Sequence, residues 1–122
     1  MIGRLYAYVI DCPDPAALGA FYEQVTGYEL VADTDYVVLR RDGVPRIAFQ
    51  PAPDHQPPRW PDPAYPQQTH LDFFVDDLDE AEGRVLALGA TRLADDAAQG
   101  FRVYADPAGH PFCLCLDDPT AP

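Results

Sequence analysis

Apolar positions along the chain change period in a fixed order, and that order occurs twice. Leu5 to Asp11 is a β-branched and aromatic run that reads as a strand. Cys12-Pro13-Asp14-Pro15 then starts a helix, with Asp14 as its cap and Pro15 in its first position. Ala16 to Val25 carries Leu18, Phe21, Tyr22 and Val25 at helical spacing, and Gly27 ends the helix as a left-handed cap. Strands are predicted around Tyr28 to Ala32, Tyr36 to Arg40 and Pro45 to Gln50, with Asp42-Gly43 as the turn between the last two. This first stretch reads as a βαβββ unit.

Between Pro51 and Gln68 the periodicity stops. Seven of the 14 prolines fall there, so neither a helix nor a central strand can run through it. The order then resumes: a strand from Thr69 to Val75, Asp76-Asp77 as turn and cap, a helix to Leu88, and Gly89 as its stop. Strands follow near Ala90 to Leu93, Phe101 to Tyr104 and Pro111 to Leu116, with Asp106-Pro107-Ala108-Gly109 as a turn. Asp14 falls on Asp77 at an offset of 63 and Gly27 on Gly89 at 62, which indicates internal duplication. The expected fold is α+β: two paired βαβββ units forming a curved mixed sheet around a cleft, with the helices outside. The expected organisation is a single domain, 1–122, with a first unit at 1–50, a proline-rich linker at 51–68 and a second unit at 69–117.

Strand alternation assigns side chains to faces. Leu71, Phe73 and Val75 should pack under the second helix, leaving His70, Asp72 and Phe74 toward the cleft. Phe112, Leu114 and Leu116 are expected in the core, with Cys113 and Cys115 on the cleft side. Ala7, Val9, Asp11, Ala48 and Gln50 take the cleft side of the first unit, and Tyr8, Phe21, Tyr22 and Phe101 are assigned to the core.

Composition narrows the chemistry. The chain has no Lys, Ser or Asn, which excludes a lysine Schiff base and a serine triad. Eight basic against 20 acidic residues give a net charge of -12, which repels nucleic acid and anionic membrane surfaces. No apolar run approaches the roughly 20 residues of a membrane span. No secretory leader is recognisable and the three cysteines read as reduced thiols, so a cytoplasmic location is expected.

His70 is a polar aromatic on an apolar strand with Asp72 on the same face, a pairing that can orient and charge an imidazole for acid–base work. The alternative is a histidine satisfied by hydrogen bonds inside the sheet. With His70, the two cysteines admit a soft metal site or a His-activated Cys113 nucleophile, against the plainer reading of small apolar fillers. Arg59, Trp60 and Tyr65 lie where no periodic core requires them. They can close over a ligand, Arg59 pairing with an acidic group on it, or pack the linker against the exterior or a second subunit. Asp106-Pro107-Ala108-Gly109 reads as turn chemistry rather than catalysis.

Several quoted segments, taken together, carry a family resemblance: Asp11-Cys12-Pro13-Asp14-Pro15 with Phe21-Tyr22 and Gly27; Arg59-Trp60-Pro61-Asp62-Pro63; His70-Leu71-Asp72 with Val75-Asp76-Asp77-Leu78-Asp79; Leu88-Gly89-Ala90; and Asp106 to Phe112. Their ordered combination resembles the vicinal oxygen chelate superfamily in its glyoxalase-like and bleomycin-resistance-like branch. The resemblance implies a cleft in which metal-dependent members hold four ligands, usually His and Glu, one from the first and last strand of each unit. The corresponding positions here are Ala7, Gln50, His70 and Cys113. Ala7 has no donor and Gln50 is a neutral, weak one, so a tightly held family-type metal is not expected and a divalent metal is disfavoured. The reading that follows is a homodimeric protein that binds a small organic molecule through Val9, Ala48, Gln50, Arg59, Trp60, Tyr65, His70, Phe74 and Cys113, for sequestration or resistance. Its rivals are an enzyme of lyase, isomerase or dioxygenase type, using His70 and Asp72 as acid and base or a non-standard metal, and an accessory module that only dimerises.

Overall fold

Each half of the chain folds as a four-stranded mixed sheet with one helix, because each helix has a single apolar stripe to bury and each sheet a single face to receive it. The structure, a computed structural model, describes residues 1–33 and 35–116. The expected end of the second unit at residue 117 lies outside them. Two compact units divide at Gln56 and Pro57, so the proline-rich stretch is shared between them.

The first unit runs β1 (Tyr8–Cys12), α1 (Pro15–Thr26), β2 (Glu29–Asp33), β3 (Tyr36–Arg41) and β4 (Val44–Pro51), in the sheet order β1-β4-β3-β2. β1 and β4 are parallel and the other pairs antiparallel. The helix ends follow the predicted chemistry. The Asp14 carboxylate accepts from the Ala17 amide at 3.1 Å, and Gly27 adopts φ 70°. Leu18, Phe21 and Tyr22 of α1 are buried with Ile10, Val37, Leu39, Ile47 and Phe49 of the sheet. Asp42 and Gly43 both have positive φ, the conformation of a tight hairpin turn whose twist matches the strands.

The second unit repeats the order with β5 (Leu71–Val75), α2 (Leu78–Ala87), β6 (Thr91–Asp96), β7 (Phe101–Ala105) and β8 (Pro111–Leu116), arranged β5-β8-β7-β6. Asp77 caps α2 by accepting from the Glu80 amide at 3.0 Å, and Gly89 follows with φ 105°. β6 runs three residues past its predicted end, after a bulge near Arg92, and a short 3-10 turn at Ala97–Gln99 joins it to β7. Phe112 and Leu114 fill the core with Tyr104, Val85 and Leu78.

Two core assignments need correction. Tyr8 is 38% exposed and Leu116 42% exposed, because alternation sets which face a side chain takes but not whether a helix covers it. Tyr8 opens the edge strand β1, and Leu116 is the last residue of the inner strand β8. The expectations for Phe21 and Tyr22 agree with their burial, whereas Phe101 is only half-buried.

Candidate functional site

The β5–β8 pair brings three of the singled-out side chains together. Parallel pairing sets Asp72 opposite Cys113 and Phe74 opposite Cys115, and His70 immediately precedes β5. His70 Nε2 lies 3.2 Å from Asp72 Oδ1, with side chains 40% and 60% exposed. Donor atoms of His70, Asp72 and Cys113 all lie within 4.8 Å of one another. Two residues along the same strand face, Phe74 is 71% exposed, which is unusual for a phenylalanine and leaves an apolar surface beside a polar cluster.

The thiols at this site are held protonated. Burial, reinforced by the Asp72 carboxylate with its charge and its hydrogen bond, pushes the Cys113 thiol up to about 12. Burial and Asp72 raise Cys115 as well. A neutral, buried thiol is a poor nucleophile at neutral pH, so a His-activated Cys113 nucleophile is disfavoured in the unliganded site. Asp72 is the hub, in contact with the imidazole on one side and the thiol on the other.

The remaining candidates group differently. In the first unit Val9 pairs with Ala48 and is 43% exposed, while Ala48 is fully buried between Val9 and Val38, so it offers no surface to a ligand. Gln50 is exposed and pairs with Asp11. At the offset of 63 Gln50 corresponds to Cys113, whose partner Asp72 corresponds to Val9, so the two units differ by two residues in the register of their parallel pair. Arg59, Trp60 and Tyr65 share one loop. The Arg59 amide donates to the Tyr65 carbonyl at 2.8 Å, and the guanidinium stacks 4.3 Å over the Tyr65 ring, a cation–π contact. Trp60 is half-buried.

The four family ligand positions do not suit a four-ligand metal. Ala7 has no donor atom, and the Gln50 amide stands opposite Asp11 rather than opposite the counterpart of Asp72. Only His70 and Cys113 bring usable donors, and the third donor beside them is Asp72.

One charged centre was not anticipated. Arg102, buried on β7, reaches Asp95 at 2.9 Å, Asp79 at 2.9 Å and Glu82 at 3.6 Å, and the Tyr104 hydroxyl donates to Glu82 at 3.1 Å. Its sequence signal is an arginine between Phe101 and Val103 in an otherwise apolar strand. The partners come from α2 and β6, so the cluster ties helix to sheet and is structural. The Arg102 hydrogen bond and the Ala97 amide hold the Asp95 carboxyl below its ordinary 3.8. The folded state then binds fewer protons there than the unfolded state. This contribution to stability is present above about pH 4 and is lost as the pH falls through the depressed value. Urea midpoints measured from pH 6 down to pH 3 should fall less steeply in Asp95→Asn than in the parent, and parallel curves would show that the pair contributes nothing.

Asp106 and His110 form a second fixed pair. The buried Asp106 carboxylate accepts from the Ala108 amide at 2.9 Å, the His110 amide at 3.0 Å and His110 Nδ1 at 3.0 Å. The turn expected from Asp106-Pro107-Ala108-Gly109 is therefore capped by its own aspartate.

Comparisons with known proteins agree with this architecture. A crystal structure of a glyoxalase/bleomycin resistance protein/dioxygenase family enzyme from Burkholderia phytofirmans superposes with a TM-score of 0.71 at 20% identity, covering 92% of this chain and 97% of that one. The fosfomycin resistance protein FosX of Listeria monocytogenes gives 0.69 at 18% identity, with 98% and 97% covered. A possible glyoxalase from Bacillus cereus gives 0.68 at 16%, with 95% and 100% covered. At these identities the likeness establishes the fold alone. No curated protein matches the sequence, and among the described residues no helix is long and apolar enough to cross a membrane. The sequence fits the profile of the glyoxalase-like domain across residues 7–115, nearly its whole length, and the chain belongs to that family.

Proposed function

We propose that this glyoxalase-like protein binds a small organic molecule on the face of β5 and β8, without the four-ligand metal of its family. The observation that carries the reading is the His70–Asp72 pair at 3.2 Å beside an exposed Phe74. A few oriented polar groups next to an apolar platform suit a ligand that buries mainly apolar area and is anchored at one end. The net charge of -12 and the Asp72 carboxylate favour a neutral or cationic ligand over an anion. In this reading the loop of Arg59, Trp60 and Tyr65 closes over the ligand, and the protein works as a homodimer in the cytoplasm for sequestration or resistance.

A second reading is favoured by the same contact. Asp72 accepting from His70 Nε2 leaves Nδ1 able to take a proton from a substrate, which would make the pair an acid–base centre of a lyase or isomerase.

Trp60 is the sole tryptophan, so its fluorescence reports binding directly. Bleomycin and fosfomycin, the drugs named for the structural neighbours, make a first pair of probes, and the cationic bleomycin should perturb Trp60 more than the anionic fosfomycin. For a ligand found in this way, Trp60→Ala should weaken binding by about 1–3 kcal/mol, the scale of burying one large side chain. His70→Ala should weaken affinity in the binding reading and abolish turnover in the enzymatic one. A ligand bound equally well by both variants would place the site elsewhere.

A further inference from the structure

From the placement of its donors, we infer that the second unit alone holds a thiophilic divalent cation of the Zn²⁺ type through His70 Nε2, Asp72 Oδ1 and Cys113 Sγ. The three donors come from two adjacent strands and the residue preceding one of them, all inside one unit. This differs from the four-ligand arrangement, which draws half its donors from the first unit, where Ala7 offers none. Sequence reasoning counted two usable ligands because Asp72 was taken only as the partner of His70. Counted as a donor, it completes the three protein ligands of an open zinc site.

The spacing suits a small tetrahedral ion. Metal–nitrogen and metal–oxygen bonds of about 2.0–2.1 Å at the tetrahedral angle set the two donors about 3.3 Å apart, and a sulfur ligand at about 2.3 Å stands about 3.6 Å from either. His70 and Asp72 are already at 3.2 Å. The thiol, within 4.8 Å of both, needs to close by at most about 1.2 Å. One thiolate and one carboxylate neutralise a divalent cation, and the thiolate turns selectivity away from Mg²⁺ and Ca²⁺. Binding displaces the Cys113 thiol proton to solvent, so one proton is released per ion. Because His70 and Asp72 are solvent-accessible, the fourth position stays open to water or to an oxygen or nitrogen of a small molecule. The inference shares side chains with the function proposed above but is tested with no organic ligand present, so either can fail alone.

The test is a titration of the metal-free, reduced full-length protein with Co²⁺, which reports tetrahedral geometry in its visible bands and a thiolate ligand in its ultraviolet charge-transfer band. One equivalent should bind with both signatures and be displaced by Zn²⁺ but not by millimolar Mg²⁺. Loss of an outer partner commonly costs 10–100-fold in metal affinity, so Cys113→Ser and His70→Ala, which remove ligands, should each weaken binding by at least about 100-fold. Cys113→Ser should also abolish the charge-transfer band. Asp72→Asn alters an exposed side chain and so keeps the test independent of folding; it should weaken binding by about 10-fold or more. Cys115→Ala and Cys12→Ala should bind as the parent does. The proposal is overturned by an absence of saturable binding, by an octahedral spectrum, by Asp72→Asn binding unchanged, or by a charge-transfer band that survives Cys113→Ser and vanishes in Cys115→Ala or Cys12→Ala.

Discussion

Phe112→Ala should destabilise the second unit by about 3–5 kcal/mol, the range for truncating a fully buried aromatic. Phe112 is 0% exposed and stacks on Tyr104 with ring centroids 5.4 Å apart, while Phe73 meets it edge-on at 6.1 Å. Removing the ring leaves a cavity between three elements, since Phe73 is on β5, Tyr104 on β7 and Phe112 on β8. Collapse into it is opposed because the Tyr104 hydroxyl is tied to Glu82 of α2. Trp60 belongs to the same unit, so urea unfolding followed by its fluorescence reads the loss. A loss under about 1 kcal/mol would show that the site collapses freely and that this core is loosely packed. The substitution also reaches the candidate site, because Cys113 is the next residue along β8 and faces the opposite side of the sheet. A variant still folded at low temperature should therefore hold Cys113 less firmly against Asp72.

How much of this was legible follows from which signals are local. Helix ends were, because Asp14 and Asp77 cap through their own side chains and Gly27 and Gly89 take positive φ. The face of each β5 and β8 residue was legible for the same reason, since alternation is a property of one strand. The pairing register was not. Val9 pairs with Ala48 whereas Asp72 pairs with Cys113, a slip of two residues between units. A slip of two preserves every side chain's face, so a pattern of period two cannot register it. Its effect falls on the site: Asp72 meets Cys113 directly, while Gln50 meets Asp11. Ala48, assigned to the cleft side, is 0% exposed, and the degree of cover depends on cross-strand neighbours that alternation does not fix. The Arg102 cluster was also hidden, because its three carboxylates come from α2 and β6 and only the tertiary fold gathers them.

Gly109→Ala should cost about 2–5 kcal/mol, and two separable effects combine to give it. Gly109 has φ 94°, where an L side chain costs about 1–2 kcal/mol. Its α-carbon also lies against Pro57, so that an added Cβ would stand 2.6 Å from the proline Cβ and 3.4 Å from Cγ. Those atoms belong to a ring fused to the backbone and cannot swing aside, so overpacking adds a cost of about 1–3 kcal/mol. The position matters because Gly109 closes the turn that Asp106 caps, immediately before His110 and the start of β8. A forced shift there would be passed along the strand toward Cys113. Gly100 supplies the control: its φ is 87°, but an added Cβ there meets nothing within 4 Å, so Gly100→Ala should cost only the backbone share. Pro57→Gly in the Gly109→Ala background should recover part of the difference, because it removes the atoms that clash. If both alanine variants unfold at the same urea midpoint, the close approach of Pro57 to the turn is not a feature of the folded protein.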